Sequence, residues 1–389
     1  MIKPNPFTPQ SGWEPKVFGG RSKQIEAFSR VMKEAVAGRL NHMVVLGEWG
    51  IGKTSLLKQF KKITQGKGYL ASFCSIGRFT ERDTVQDGIS LISEEMIRGF
   101  PKIGGVRSFF ENLEAVGISI AGFGGQISRK KTTLQPQTYL TEFLLEMWRQ
   151  LKTRLAVVLI DDIQNFSTIP QVMDILRLVL SKDEIIQKTR YLFILSSTPD
   201  GWRFFLDKHD PIGRFFRKRE SLDCLSRGET LQIMEDILKD TGVSFSQKIK
   251  ERIYSYTIGH PYELQVLCSN LYESQLQGKV DETEWEQAFK NALWELGRDY
   301  FEALYRRASG REETILLTLA EAKADLSITE STKRVGTAHK EFPLKNVKHF
   351  LYRLENKGLI KRTETRGFKI LDPMFREYVF LKQHGWGQD

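Results

Sequence analysis

The sequence is poor in cysteine and histidine and has no long apolar run. Its three cysteines, Cys74, Cys224 and Cys268, are far apart, which argues against a disulfide framework and favours buried thiols in a reducing compartment. The six histidines lack the spacing of metal ligands. No apolar stretch approaches the ~18 residues of a membrane span, and the first residues lack a secretory signal pattern. These absences predict a cytoplasmic protein without a membrane association.

The composition is that of an ordinary globular chain, but its charge is unevenly placed. With 389 residues, 40% of them hydrophobic, the chain is long enough for two or three domains. The net charge is +10, and residues 331–370 carry eleven Lys or Arg against three Glu, a local excess of +8. Such a concentration of positive charge indicates an anionic partner.

One segment predicts phosphate binding. Gly47-Glu48-Trp49-Gly50-Ile51-Gly52-Lys53-Thr54 fits the pattern G-x-x-x-x-G-K-[ST], whose backbone N–H groups surround phosphate oxygens. In this pattern Lys53 reaches the β- and γ-phosphates and the Thr54 hydroxyl holds Mg²⁺. An apolar strand precedes the segment, and a helix follows from Ser55, so the helix dipole faces the anion. The predicted cofactors are therefore ATP and Mg²⁺.

A second apolar strand ends in two carboxylates. Residues 156–160 are apolar throughout, as in a strand covered on both faces, and Asp161 and Asp162 follow. We expect Asp161 to orient the Mg²⁺ shell and Asp162 to lie near the attacking water. A later strand over 191–198 ends in hydroxyls, and we expect Ser197 to lie between these motifs and the γ-phosphate.

The order of elements predicts an α/β P-loop domain with two further domains. Alternating strands and helices indicate a parallel sheet with helices on both faces, whereas the chain from Ser226 onward is predicted to be helical. We expect a P-loop ATPase domain over 1–225, an all-α lid over 226–308 and a winged-helix domain over 309–389. Within the first domain, 78–137 is predicted as an insertion, with a strand or small hairpin at 117–127.

The C-terminal segment has the pattern of a winged helix. A third helix is predicted from Pro343 to about Asn356, followed by two strands around a turn at 365–367. This pattern places the third helix in a DNA major groove and the wing on phosphates. The predicted DNA-binding residues are Lys345, Asn346, His349, Arg353, Arg362, Arg366 and Lys369. A protein-binding role stays open, because many winged helices bind proteins.

Taken in order, these motifs resemble the AAA+/STAND P-loop ATPases over nearly the whole chain. The archaeal-type ATPases with a C-terminal winged helix and the origin-recognition initiators are the most similar groups. The resemblance implies that Phe18 and Arg21, in Phe18-Gly19-Gly20-Arg21, lie near the nucleotide base. It implies that Pro261, in the G-x-P sequence Gly259-His260-Pro261, contacts the nucleotide, which would lie between the sheet domain and the lid.

The resemblance also implies assembly. Arg214 or Arg217, in Gly213–Arg217, matches the region where AAA+ relatives carry an arginine finger, which would complete the site of a neighbouring subunit in a homo-oligomer. A solvated basic turn is the alternative for these arginines.

Two departures from the AAA+ pattern favour the STAND group, in which nucleotide acts as a switch. The second acidic residue is Asp162, where Glu is usual, so we expect slow hydrolysis. No arginine follows Pro261 in 262–265. The alternative is a weakly hydrolysing or non-hydrolysing signalling, scaffold or defence ATPase whose winged helix binds a protein.

Overall fold

The structure is a computed structural model that describes residues 3–10, 14–100, 134–208 and 212–385. It divides into two compact units, Arg21–Asp223 and a second unit formed by Met1–Gly20 with Cys224–Asp389. The hairpin predicted at 117–127 lies outside the described residues. The three-domain division stays a prediction.

The unit Arg21–Asp223 contains a five-stranded parallel sheet in the order β2-β3-β4-β1-β5. Its strands are β1 (Met43–Leu46), β2 (Leu70–Ser75), β3 (Ala156–Asp161), β4 (Tyr191–Ser197) and β5 (Lys218–Ser221). Every residue of β3 and β4 is buried, because helices cover both faces. The predicted α/β P-loop fold is therefore confirmed.

The helices of this unit alternate with the strands. They are α1 (Ser22–Val36), α2 (Lys53–Gly66), α3 (Val85–Gly99), α4 (Pro136–Gln150), α5 (Gln171–Leu180), α6 (Asp183–Lys188), α7 (Pro199–Lys208) and α8 (Ile212–Phe215), with a 3₁₀ turn at Ile163–Phe166. Capping residues in the sequence determine where several of these helices begin. For example, Thr84 and Asp87 form a capping box at the start of α3.

Strand order determines which residues can meet at the site. Since β4 lies between β1 and β3, the carboxyl ends of these three strands are adjacent at one edge of the sheet. The register pairs Leu46 with Ser197 and Ile160 with Leu195. The residues that follow Leu46, Ile160 and Leu195 are thereby brought together, although they are far apart in sequence.

The second unit is mostly helical. Its first part contains α9 (Arg227–Leu238), α10 (Gln247–Thr257), α11 (Pro261–Glu273), α12 (Glu282–Leu296) and α13 (Glu302–Tyr305), with the short parallel pair β6 (Ser244–Phe245) and β7 (Lys279–Val280). A π-helical turn at Gly297–Phe301 connects α12 to α13, so the chain is helical without a break from Glu282 to Tyr305. There the ring of Tyr378 packs against Gly297 so closely that a Cβ would lie 2.5 Å from it.

The C-terminal part of this unit has three helices followed by a hairpin, in the predicted order. It contains α14 (Arg311–Ala322), α15 (Ile328–Ala338), α16 (Val347–Asn356), the antiparallel pair β8 (Ile360–Arg362) and β9 (Phe368–Ile370), and α17 (Pro373–His384). The third helix does not begin at Pro343 as predicted. Pro343 has a ψ of 84°, outside the helical region, and a 3₁₀ turn at Leu344–Asn346 precedes α16.

The N-terminal segment packs onto the helical unit. Phe7 is buried against Phe245 and Tyr272, and the Asn5 amide donates to the carbonyl and hydroxyl oxygens of Ser269. Phe7 therefore belongs to the core of the helical unit. Within the ranges that the structure describes, none of the helices has the length and apolar character needed to cross a membrane.

Candidate nucleotide site

The predicted phosphate loop connects β1 to α2. Gly50 and Gly52 have φ values of +75° and +95°, in the left-handed region that favours glycine. A Cβ at Gly52 would meet nothing within 4 Å, so its backbone conformation, and not a lack of space, requires glycine there. Trp49 is 40% exposed at the loop, and Ser55 is half-buried in the first turn of α2.

Lys53 places a buried cation at this loop. Its side chain is only 6% exposed, and its Nζ donates to the carbonyl oxygen of Glu48 at 3.1 Å. Burial lowers the pKa of Lys53, while the charges of Asp162, Asp161 and Glu48 act in the opposite direction. A phosphate bound to the loop would add further negative charge near this buried ammonium and so favour its charged form.

The two predicted magnesium ligands are in contact. Thr54 Oγ1 donates to Asp161 Oδ2 at 2.6 Å, and the hydroxyl of Ser196 donates to Asp161 Oδ1. Burial raises the pKa of Asp161, as does Asp162, whereas the bonds from Ser196 and Thr54 lower it. A hydroxyl beside a carboxylate is an oxygen donor set that suits Mg²⁺. Their role as ligands stays a prediction.

Asp162 lies at the end of β3 in a left-handed conformation, with φ of +59°. Its backbone N–H donates to Ser196 Oγ at 2.9 Å, and its Oδ1 accepts a bond from Gln164 Nε2 at 2.9 Å. Ser197 is buried beside it, and its hydroxyl has no hydrogen-bond partner among the described residues. The serine that contacts the acidic pair is therefore Ser196, one residue before the predicted Ser197.

Arg21 supports the phosphate loop from its own unit. Its guanidinium, in a residue that is 8% exposed, donates to the carbonyl oxygens of Ile51 at 3.0 Å and Asp223 at 2.9 Å. This contact joins the loop to the segment after β5. Phe18, the other residue predicted near the base, is half-buried in the helical unit.

The predicted arginine fingers lie away from the phosphate loop of their own unit. Both arginines are exposed, Arg214 in α8 and Arg217 immediately before β5. The first residue of β5, Lys218, pairs with Met43 at the start of β1. The phosphate loop follows the opposite end of β1. The length of a four-residue strand, about 13 Å, therefore separates them along the sheet.

The G-x-P turn is well defined within the helical unit. Gly259 has a φ of +78°, and a Cβ there would lie 1.9 Å from the carbonyl oxygen of Leu225, so only glycine fits. Pro261 then occupies the first turn of α11, where proline is favourable.

Two of the predicted DNA-binding arginines form ion pairs within the chain. Arg353 contacts the buried Glu312 at 2.8 Å, together with Lys357, and Arg362 contacts Glu355 at 3.2 Å. The Arg362 guanidinium also lies 4.5 Å from the centre of the Tyr352 ring. Asn346 is half-buried in the 3₁₀ turn. The remaining predicted residues are exposed: Lys345, His349, Arg366 and Lys369.

Three residues at these sites were not predicted. Ser196 and Gln164 contact the acidic pair, and Glu312 holds Arg353. The three hydroxyl residues at 196–198 indicated that one of them would lie near the acidic pair. The strand register was needed to show that this residue is Ser196. Gln164 and Glu312 belong to no recognised motif.

Together, a parallel sheet, a phosphate loop after β1 and an acidic pair after β3 define a P-loop nucleotide hydrolase. The sequence model of a family described as "ATPase domain predominantly from Archaea" matches residues 18–267, more than half of the chain. The chain belongs to this family. It is a P-loop ATPase of the archaeal type, as the sequence predicted.

Solved structures show the same fold over almost the whole chain. The Walker-type ATPase paby2304 of Pyrococcus abyssi is 14% identical, with a TM-score of 0.60, covering 94% of this chain and 97% of that one. The Aeropyrum pernix ORC2 protein, solved as ADPNP–ADP complexes, is 15% identical, with a TM-score of 0.66, covering 97% of this chain and 98% of that one. No curated protein sequence matches this chain.

Proposed function

We propose that this ATPase is a nucleotide-dependent switch that hydrolyses ATP slowly and binds DNA through its C-terminal basic surface. One observation carries the nucleotide part: Lys53, Thr54, Asp161 and Asp162 converge at one edge of the sheet, although more than 100 residues separate the two motifs. The G-x-P turn and the Asp at position 162 support the switch, because both are typical of STAND ATPases. A cytoplasmic location is part of this proposal.

Each residue of the nucleotide site has a proposed role. Lys53 neutralises charge on the β- and γ-phosphates, and Asp162 orients the attacking water. The Thr54 hydroxyl and the Asp161 carboxylate are the residues that would hold Mg²⁺, which neutralises charge developing on the phosphates. Because Asp162 is one methylene shorter than the usual Glu, its reach toward the water is shorter and turnover is slow.

Eight exposed cations support the DNA-binding part of the proposal. They lie on α15, the segment after it, the 3₁₀ turn, α16 and the hairpin. They are distinct from the three cations that form ion pairs with Glu312 and Glu355. The eight are Lys333, Arg334, Lys340, Lys345, Lys348, Lys361, Arg366 and Lys369. A surface of this charge attracts phosphates irrespective of base sequence.

A second function follows from the ion pairs themselves. Since Arg353 on α16 and Arg362 on β8 are already paired with glutamates, the surface that these two elements form is less basic than the sequence suggested. A protein partner with a polar surface would fit such a face. This alternative describes a signalling or scaffold ATPase.

Filter binding to duplex DNA at several salt concentrations tests the proposal. We expect Arg366→Glu with Lys369→Glu to weaken binding to all sequences alike and to reduce the salt slope by about 0.9 for each phosphate that is no longer neutralised. Arg353→Gln is the matched control, because Arg353 is paired with Glu312, and it should leave the slope unchanged. Binding that does not depend on salt in the wild-type protein would refute the DNA proposal and favour the protein partner.

A further inference from the structure

A glutamine side chain bridges the ends of two neighbouring strands beside the acidic pair. Gln164 lies in the 3₁₀ turn, two residues after Asp162. Its Nε2 donates to Asp162 Oδ1 at 2.9 Å, and its Oε1 accepts the backbone N–H of Thr198 at 3.3 Å. One amide group therefore connects the carboxylate after β3 to the backbone after β4.

The surrounding residues hold this amide in place. A Cβ on Gly201, in the first turn of α7, would lie 2.4 Å from the Cβ of Gln164, so the glutamine occupies space that only a glycine at 201 leaves open. Asp162 is held from a second side, because its N–H donates to Ser196 Oγ. The backbone of Asp162 is thus held by Ser196 in β4, and its carboxylate is connected through Gln164 to Thr198, the residue after β4.

We propose that Gln164 is a positioning residue for ATP hydrolysis, which fixes the Asp162 carboxylate in the orientation that holds the attacking water. The inference rests on the role proposed above for Asp162. A glutamine suits the task because one amide supplies both a donor for the carboxylate and an acceptor for the Thr198 N–H. A short Asp that is held rigidly can orient a water more consistently than one that rotates freely.

The next residue in the same turn offers a matched control. Asn165 also has a side-chain amide, but its Nδ2 donates to the backbone carbonyl oxygen of Ile76 at 2.6 Å. Removal of either amide loosens the turn. Only the removal of the Gln164 amide takes a hydrogen bond away from Asp162.

Steady-state ATP hydrolysis distinguishes these roles. We expect Gln164→Ala and Gln164→Glu to lower kcat by roughly ten- to a hundredfold, with KM for ATP within about twofold of wild type. Glutamate keeps the acceptor for Thr198 but cannot donate to Asp162. Asn165→Ala should retain kcat even if its melting temperature falls. An unchanged kcat in Gln164→Ala, or an equal loss in Asn165→Ala, would overturn the proposal.

A double-mutant cycle tests whether Gln164 acts through Asp162. Asp162→Gly removes the carboxylate, and glycine tolerates the left-handed conformation of this position. In that background Gln164→Ala should cause no further loss of kcat, whereas independent, additive losses contradict the inference. If Asp162→Gly alone keeps wild-type kcat, the proposed role of Asp162 fails and this inference fails with it. A loss in Asp162→Gly without a loss in Gln164→Ala overturns only the inference.

Discussion

At the residue level, Lys53 holds a positive charge in a buried position at the phosphate loop. The ammonium lies in the phosphate loop, where it donates to the carbonyl oxygen of Glu48. We predict that Lys53→Ala lowers ATP turnover by roughly a hundredfold or more, because a preorganised positive charge at the phosphates is lost. Phosphate release and the binding of a fluorescent ATP analogue measure the effect.

Lys67→Ala is a suitable control, since Lys67 is exposed just after the other end of α2. It should retain both turnover and nucleotide affinity. Normal affinity and turnover in Lys53→Ala would instead show that the nucleotide does not bind at this loop.

The residues that the sequence predicted are those whose roles come with a fixed motif. Lys53, Thr54, Asp161 and Asp162 could be named because the chemistry of phosphate binding sets their spacing and type. Ser196 and Gln164 could not, because their contacts depend on the adjacency of β3 and β4 and on the left-handed turn at Asp162. Successive strand residues point to opposite faces, so Ser196 and Ser197 have different surroundings, and the role predicted for Ser197 stays a prediction.

At the level of elements, a buried carboxyl group connects α11 to α17. Glu263 is 1% exposed, and it lies against the side chain of Asp372, which caps α17 by accepting the N–H groups of Met374 and Phe375. Burial, and next the charge of Asp372, raise the pKa of Glu263 well above its ordinary value. His260 Nδ1 is 3.6 Å from the carboxylate.

We predict that this group makes stability depend on pH. The folded state keeps a proton on Glu263 that the unfolded state releases above its ordinary pKa near 4.5. The contribution of this proton to the free energy of unfolding is therefore complete below the ordinary pKa of Glu263. It is lost as pH rises toward the pKa of Glu263 in the folded state, by up to about 1.4 kcal/mol per pH unit. Glu263→Gln can still donate to Asp372 and should lack this loss, so its stability advantage over wild type grows with pH.

Urea unfolding from pH 5 to pH 8 measures the difference, with Glu273→Gln as an exposed control on the same helix. Parallel stability curves for wild type and Glu263→Gln would show that Glu263 does not retain its proton on folding. Sequence patterns located α11 itself, but they could not place Asp372 against it. The two residues are 109 positions apart and meet only through tertiary packing.

At the level of the whole molecule, the position of the two arginines determines how they can act. Arg214 and Arg217 lie beside the start of β1, and the phosphate loop lies beyond its end. Neither arginine therefore contacts a nucleotide at the loop of its own unit. A catalytic role would require a second copy of the chain, in which case we expect the mass measured by light scattering to increase with ATP.

Mixing two inactive variants tests this assembly. We predict that Arg214→Ala with Arg217→Ala lowers kcat by roughly a thousandfold while ATP affinity is retained, as for an arginine finger supplied by a neighbour. Asp162→Asn is impaired in its own site but retains both arginines. In a mixture, the intact site of the first variant can receive arginines from the second, so ATP turnover should recover in part. As a control, a chain that carries all three substitutions replaces Asp162→Asn in the mixture. It should give no recovery of turnover, because it supplies no arginine to the intact site. Turnover equal to the sum of the separate variants would mean that these arginines form a solvated basic turn.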